Sequence, residues 1–66
     1  MHTLGTRIKN RRKEMKYTQE SLSKKLNINR VTYQGYEADK HKPDIDTLVK
    51  IADELQTSID YLAGRY

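Results

Sequence analysis

Between Thr18 and Glu37 two short helical segments are separated only by Leu26-Asn27-Ile28-Asn29. Thr18 can cap the first, with Gln19 and Glu20 in its opening turn and Leu22 and Leu26 facing inward. Asn29 can cap the second, which reaches about Ala38 and sets Tyr33 and Tyr36 on one face and Arg30, Val31, Gln34 and Gly35 on others. So short a turn does not let two helices of about eight residues fold back antiparallel, so the second must leave at a steep angle. Asn27 follows the last apolar residue, where a left-handed backbone is often needed and Asn tolerates it. Ile28 would plug the turn into the core, leaving the following helix standing proud of the surface.

The rest of the chain reads as support for that pair. Leu4, Ile8, Arg11 or Arg12, and Met15 recur at helical spacing, predicting a first helix from Thr3 to Met15. Asp39-Lys40-His41-Lys42-Pro43 is a polar loop. Asp44 can cap a fourth helix in which Ile45, Leu48, Ile51, Ala52 and Leu55 face the core. Thr57 or Ser58 can cap a short fifth, carrying Ile59 and Leu62. No stretch alternates with period two for long enough to be a strand. The expectation is an all-α chain, residues 1–66 forming a single domain of five short helices around one core.

Such a chain, 66 residues long, buries only about 60% of its unfolded surface. It has no cysteine, hence no disulfide or thiolate zinc site, and its two histidines are far apart, so neither a metal nor a cofactor is expected. Stability must come from close helix packing, with dimerisation as a further source. No apolar run is long enough to span a membrane and no signal-peptide pattern opens the chain, so the expected location is the cytoplasm. Charge is unevenly spread. Residues 1–42 hold eleven basic and four acidic residues, a net +7, whereas residues 43–66 hold two and five, a net −3. The first part suits a polyanion and the second suits solvent or a partner.

With these pieces assembled, the sequence resembles the Cro/repressor-type (XRE) helix-turn-helix family from Leu4 to Gly64. The resemblance is carried by Leu4-Gly5-x-x-Ile8-x-x-x-Arg12, Thr18-Gln19-Glu20-x-Leu22, Leu26-x-Ile28-x-Arg30, Tyr36-Glu37, Pro43-x-Ile45-x-Thr47-Leu48, Ile51-Ala52-x-x-Leu55 and Ser58-Ile59-Asp60-Tyr61-Leu62. Lys16 and Asn27 depart from it where glycine is usual, Ser23 where alanine is usual, and Tyr17 where an aliphatic residue is preferred. It implies a compact lambda-repressor-like DNA-binding domain, its helix-turn-helix at helices two and three, whose third helix (about 29–38) enters the major groove. Base contacts are then expected from Gln19, Arg30, Val31 and Gln34, and contacts to the DNA backbone from Arg12, Thr18, Asn29, Tyr33, Gly35, Lys40 and Lys42. Arg12 and Glu37 match a pair that bridges the first and third helices in some members.

The side-chain chemistry agrees. Arg30 can donate a bidentate pair to guanine, Gln34 or Gln19 to adenine, and Val31 can pack on a thymine methyl. Gly35 costs up to about 1 kcal/mol of helix propensity relative to Ala, a cost explained if DNA passes close by. A lone domain offers few base contacts, so the expected partners are a pseudo-palindromic double-stranded operator and a second copy of the chain, pairing through Ile59, Tyr61, Leu62 and Tyr66. A regulatory protein or a missing C-terminal domain would be a further partner, and both a whole Cro-sized protein and a piece of a longer repressor are compatible with the sequence.

Other readings are weaker. Tyr33 and Tyr36 could stack on bases of a single strand, but their positions match apolar core positions in the family. His2 and His41 read as solvated, although His41 stands in the loop where family members grip phosphate. Asp44, Asp46, Asp53 and Glu54 read as caps and a solvated face, and no histidine, serine or cysteine completes a catalytic arrangement, so no enzyme is expected. A module that binds protein through its acidic final third is the alternative function, against which the basic first 42 residues argue.

Overall fold

The computed structural model describes residues 3–65. Among them run α1 (Leu4–Glu14), α2 (Gln19–Leu26), α3 (Arg30–Glu37), α4 (Ile45–Glu54) and α5 (Ile59–Ala63), with no strand among the described residues. Each begins at a side-chain cap that satisfies a backbone N–H left over in its first turn. Thr3 Oγ1 accepts from the Thr6 amide at 3.1 Å, Asp44 Oδ1 from Thr47 at 2.8 Å, and Ser58 Oγ from Tyr61 at 3.0 Å, so Ser58 rather than Thr57 caps α5. Thr18 and Ser21 cap each other reciprocally, both bonds at 2.9 Å. Asn29 Oδ1 accepts from Val31 at 2.8 Å and from Thr32 at 3.4 Å.

The five helices end alike. Just past each lies a residue with positive φ: Lys16 (67°), Asn27 (58°), Asp39 (60°), Gln56 (54°) and Gly64 (78°). The following amide reaches back across the last turn: Tyr17 N to Arg12 O, Ile28 N to Ser23 O, Lys40 N to Gly35 O, Thr57 N to Ala52 O, and Arg65 N to Asp60 O, over 2.7–3.1 Å. This is the Schellman closure, which satisfies orphan carbonyls and turns the chain sharply. Lys16 and Asn27, two of the departures from the family pattern, therefore do adopt the backbone for which glycine is the usual residue.

The core consists of Ile8, Leu22, Leu26, Tyr33, Ile51, Ala52, Leu55 and Leu62, with Leu4, Met15, Tyr17, Ile28, Tyr36, Leu48, Ile59 and Tyr61 packed against it. Ile28 plugs the α2–α3 turn as the sequence suggests. Ile45 does not belong to the core. It is 64% exposed and, with Val49 one turn later, forms an apolar strip on the solvent side of α4. Leu62 is fully buried, which removes it from the expected dimer surface because no atom of it reaches the outside. Tyr66, expected on that surface, and His2 lie outside the described residues.

Two contacts that periodicity did not reveal fix α1 against its neighbours. Gly5 abuts the end of α3, where a Cβ would stand 2.5 Å from the carbonyl oxygens of both Tyr36 and Glu37. Its amide donates to Asp39 Oδ1 at 3.0 Å, and Thr3 Oγ1 donates to Asp39 Oδ2 at 2.5 Å. At the other end of α1, Arg11 closes α4, donating from Nε to Leu55 O at 2.9 Å and from Nη2 to Gln56 O at 3.2 Å. A cation there also complements the negative end of the α4 dipole.

Candidate nucleic-acid interface

Glu37, the last residue of α3, gathers its partners in the interior. Arg12 Nε donates to its Oε2 at 2.7 Å and Arg12 Nη2 to its Oε1 at 3.3 Å. Gln19 Nε2 donates to Oε1 at 2.9 Å, and the Tyr33 hydroxyl donates to Oε2. Arg12 Nη1 is taken by Tyr17 O at 2.8 Å. Burial pushes the Glu37 carboxyl up, but the bonds from Arg12, Tyr33 and Gln19 outweigh it and hold it below the ordinary carboxylate range. The same bond to Glu37 holds the Arg12 guanidinium in its charged form, and burial followed by Glu37 pushes the Tyr33 phenol up.

This cluster removes two residues from the expected set of DNA-backbone contacts. Arg12 is 7% exposed with its donors committed inside the protein, and Tyr33 is fully buried. The anticipated Arg12–Glu37 pair is present, and it spans α1 and α3. Gln19 sits half-buried at the head of α2, its amide oriented by Glu37.

On the opposite side of α3 the side chains face outward. Val31 is 75% exposed, on a helix whose other face is packed. Gln34 is exposed, and so is Arg30, which leans towards Glu20 with Nη1 3.9 Å from Oε1. Thr18 and Asn29 are exposed at the starts of α2 and α3, and Lys40 and Lys42 are exposed in the loop that follows α3. Arg30, Val31, Gln34, Thr18, Asn29, Lys40 and Lys42 are thus all exposed, and of them Val31, Gln34 and Lys40 line one surface notch.

Gly35 is a correction. It is buried, and what lies over it is the His41 imidazole, which a Cβ would meet at 2.5 Å from Nε2. The close approach that explains this glycine comes from the protein's own loop. His41 is exposed, as the sequence suggests, and it also rests on α3: its Nε2 lies 3.2 Å from Thr32 O, and its ring meets Tyr36 edge-on at 5.3 Å. Sequence patterning does not reveal this contact, since the turn of the loop folds His41 back onto Thr32, Gly35 and Tyr36 of the preceding helix.

Comparison with known proteins then places the chain. The helix-turn-helix family model matches residues 8–62. The chain belongs to the helix-turn-helix family. Among helix-turn-helix relatives, the HTH-type transcriptional regulator ImmR of Bacillus subtilis (strain 168) is 41% identical over 63 residues, covering 96% of this chain and 50% of ImmR. The cryptic phage CTXphi transcriptional repressor RstR of Vibrio cholerae is 40% identical over 60 residues, covering 91% of this chain and 54% of RstR. The chain therefore spans about half the length of these relatives. A crystal structure of the P22 c2 repressor in complex with a synthetic operator superposes with a TM-score of 0.91 at 30% identity, covering 100% of both chains. In this helix-turn-helix fold α2 and α3 are the motif and α1, α4 and α5 its support.

Proposed function

We propose that this helix-turn-helix chain is a sequence-specific double-stranded DNA-binding regulator, a repressor of phage or mobile-element type. In this reading α3 enters the major groove, Arg30, Val31 and Gln34 reach base edges with Gln19 beside them, and Thr18, Asn29, Lys40 and Lys42 hold the backbone. The observation that carries it is the two-sided character of α3: Tyr33 and Glu37 are buried, while Val31 stands 75% exposed between Arg30 and Gln34. Likeness to a repressor crystallised on operator DNA supports the same docking. The chain works as a homodimer in the cytoplasm, on the nucleoid, reading two half-sites about 34 Å apart. Ile59 and Tyr61, both half-buried, belong to the proposed dimer surface.

Selection from randomised duplexes, followed by anisotropy titrations at two salt concentrations, tests this. Enrichment of a pseudo-palindrome bound by two chains supports the reading. Binding without any preferred sequence sinks the regulator assignment, and a single chain on the selected site sinks the dimer.

A further inference from the structure

We propose that His41 is a positioning residue for DNA binding: its imidazole, seated on Gly35, sets where Lys42 stands relative to the outward side of α3, beyond Lys40, whose own amide is already held by the end of that helix. The proposal rests on the DNA-binding reading above and supplies what holds the phosphate-gripping loop in place.

The loop is pinned residue by residue. Asp39 is tied to the start of α1 through the Gly5 amide at 3.0 Å, and Lys40 N donates to Gly35 O at 2.9 Å. His41 then turns back over α3 and touches it at three places: Gly35 beneath the ring, Thr32 O at 3.2 Å from Nε2, and Tyr36 edge-on at 5.3 Å. Tyr36 in turn meets the buried Tyr33 edge-on at 6.5 Å, so the imidazole continues the core outward to the loop. Val31 and Gln34 of α3 and Lys40 and His41 of the loop line one surface notch. The base-facing residues and a phosphate-facing lysine thus share a concavity into which the imidazole is set.

Glycine inside a helix is disfavoured against alanine. Here a Cβ would strike the ring, so the seat of the imidazole over α3 depends on the glycine. The bond to Thr32 O needs a proton on Nε2, which one neutral tautomer and the protonated ring both supply. A lysine is a point charge on a flexible stem, and fixing the backbone from which it grows reduces the ordering that binding must impose.

The test uses anisotropy with a short mixed-sequence duplex across a salt series, alongside thermal melts of every variant. His41→Ala is expected to weaken binding about tenfold and to flatten the salt slope by about 0.9 for each phosphate that is no longer neutralised. Changing Lys42 to Ala is expected to cost less in the His41→Ala background than in the wild type, because that lysine is already misplaced, whereas Lys40→Ala should cost the same in both. Gly35→Ala, which expels the ring, should match His41→Ala in binding. Combining Gly35→Ala with His41→Ala removes the clash and improves helix propensity, so this variant should melt at or above the wild type yet still bind like His41→Ala. A merely structural role predicts the reverse, affinity recovering with stability, and that result overturns the proposal. So do an unchanged salt slope in His41→Ala or a Lys42→Ala effect that is fully additive with it. A wild-type chain showing no salt-dependent duplex binding overturns the DNA-binding reading itself, whereas wild-type binding indifferent to His41 overturns only this role.

Discussion

Arg12 Nε lies 2.7 Å from Glu37 Oε2, joining the middle of α1 to the end of α3 with side chains only 8% and 3% exposed. Glu37→Gln leaves the guanidinium buried without its counter-charge, which costs roughly 3–5 kcal/mol. In a domain of this size that lowers Tm by more than about 10 °C. Arg12→Met combined with Glu37→Leu removes both charges and is expected to recover part of the loss. Recovery is incomplete because Tyr33 and Gln19 lose their acceptor. Thermal melts of the two variants check both statements.

The same carboxylate makes stability depend on acid. Its folded value is below the ordinary 4.5, so the unfolded chain takes up the proton first as pH falls. The contribution is complete above 4.5 and is lost as pH falls from there through the lowered folded value. Tm should therefore hold steady from neutrality to about pH 5 and then fall, more steeply in the wild type than in Glu37→Gln. On the alkaline side Tyr33 is raised above its ordinary 10.0, so its contribution is present below that value and lost as pH rises beyond it.

Four of the five helix ends place a residue other than glycine at positive φ. Lys16 and Gln56 are exposed there, so the backbone cost is not offset by burial of their side chains. Lys16→Gly and Gln56→Gly should each stabilise the fold by about 1 kcal/mol or slightly less, the greater freedom of glycine in the unfolded chain taking back part of the gain. Urea midpoints measured at constant m-value test this. A loss of stability at Lys16 would mean that its side chain matters more than its backbone.

Gly5→Ala meets a different obstacle from Gly35→Ala. At Gly5 the new methyl collides with two backbone carbonyls at 2.5 Å, which cannot swing aside as a side chain can. The crossing of α1 over the end of α3 must open, at a cost of about 1–3 kcal/mol. The amide bond from Gly5 to Asp39 should weaken with it. Hydrogen exchange at the Gly5 amide, faster in the variant, is the local readout.

On the proposed DNA face, Arg30→Ala should cost about 1–3 kcal/mol at one operator position and relax discrimination there. Lys42→Ala should weaken all sequences alike and reduce the salt slope by about one. Titrations against an operator and its single-base variants separate the two patterns. Uniform weakening by Arg30→Ala would reassign that residue to phosphate.

The helices were legible along the chain because caps and apolar spacing are local. Thr3, Thr18, Asn29, Asp44 and Ser58 each hold a backbone amide two or three residues onward, and such a bond needs no distant partner. The left-handed Asn27 in the α2–α3 turn followed from the same local logic. The exposed character of Arg30, Val31 and Gln34 was legible as well, since the helix carrying them has one apolar face. For Arg12 and Tyr33 the sequence leaves an inward and an outward role open, and the structure pairs the one with Glu37 and buries the other, because a polar side chain gives no local sign of whether its partner is a phosphate or a buried carboxylate.

Sequence by itself determined five capped helices, their inward faces and the basic character of residues 1–42, all set by interactions within about four residues or by composition. Tertiary structure decided which polar groups meet: Arg12 with Glu37, Arg11 with the end of α4, Asp39 with Gly5, and His41 with Gly35. Each of these joins residues brought together only by helix crossing or by the turn of a loop. Their energies depend on burial and distance, which spacing along the chain does not encode.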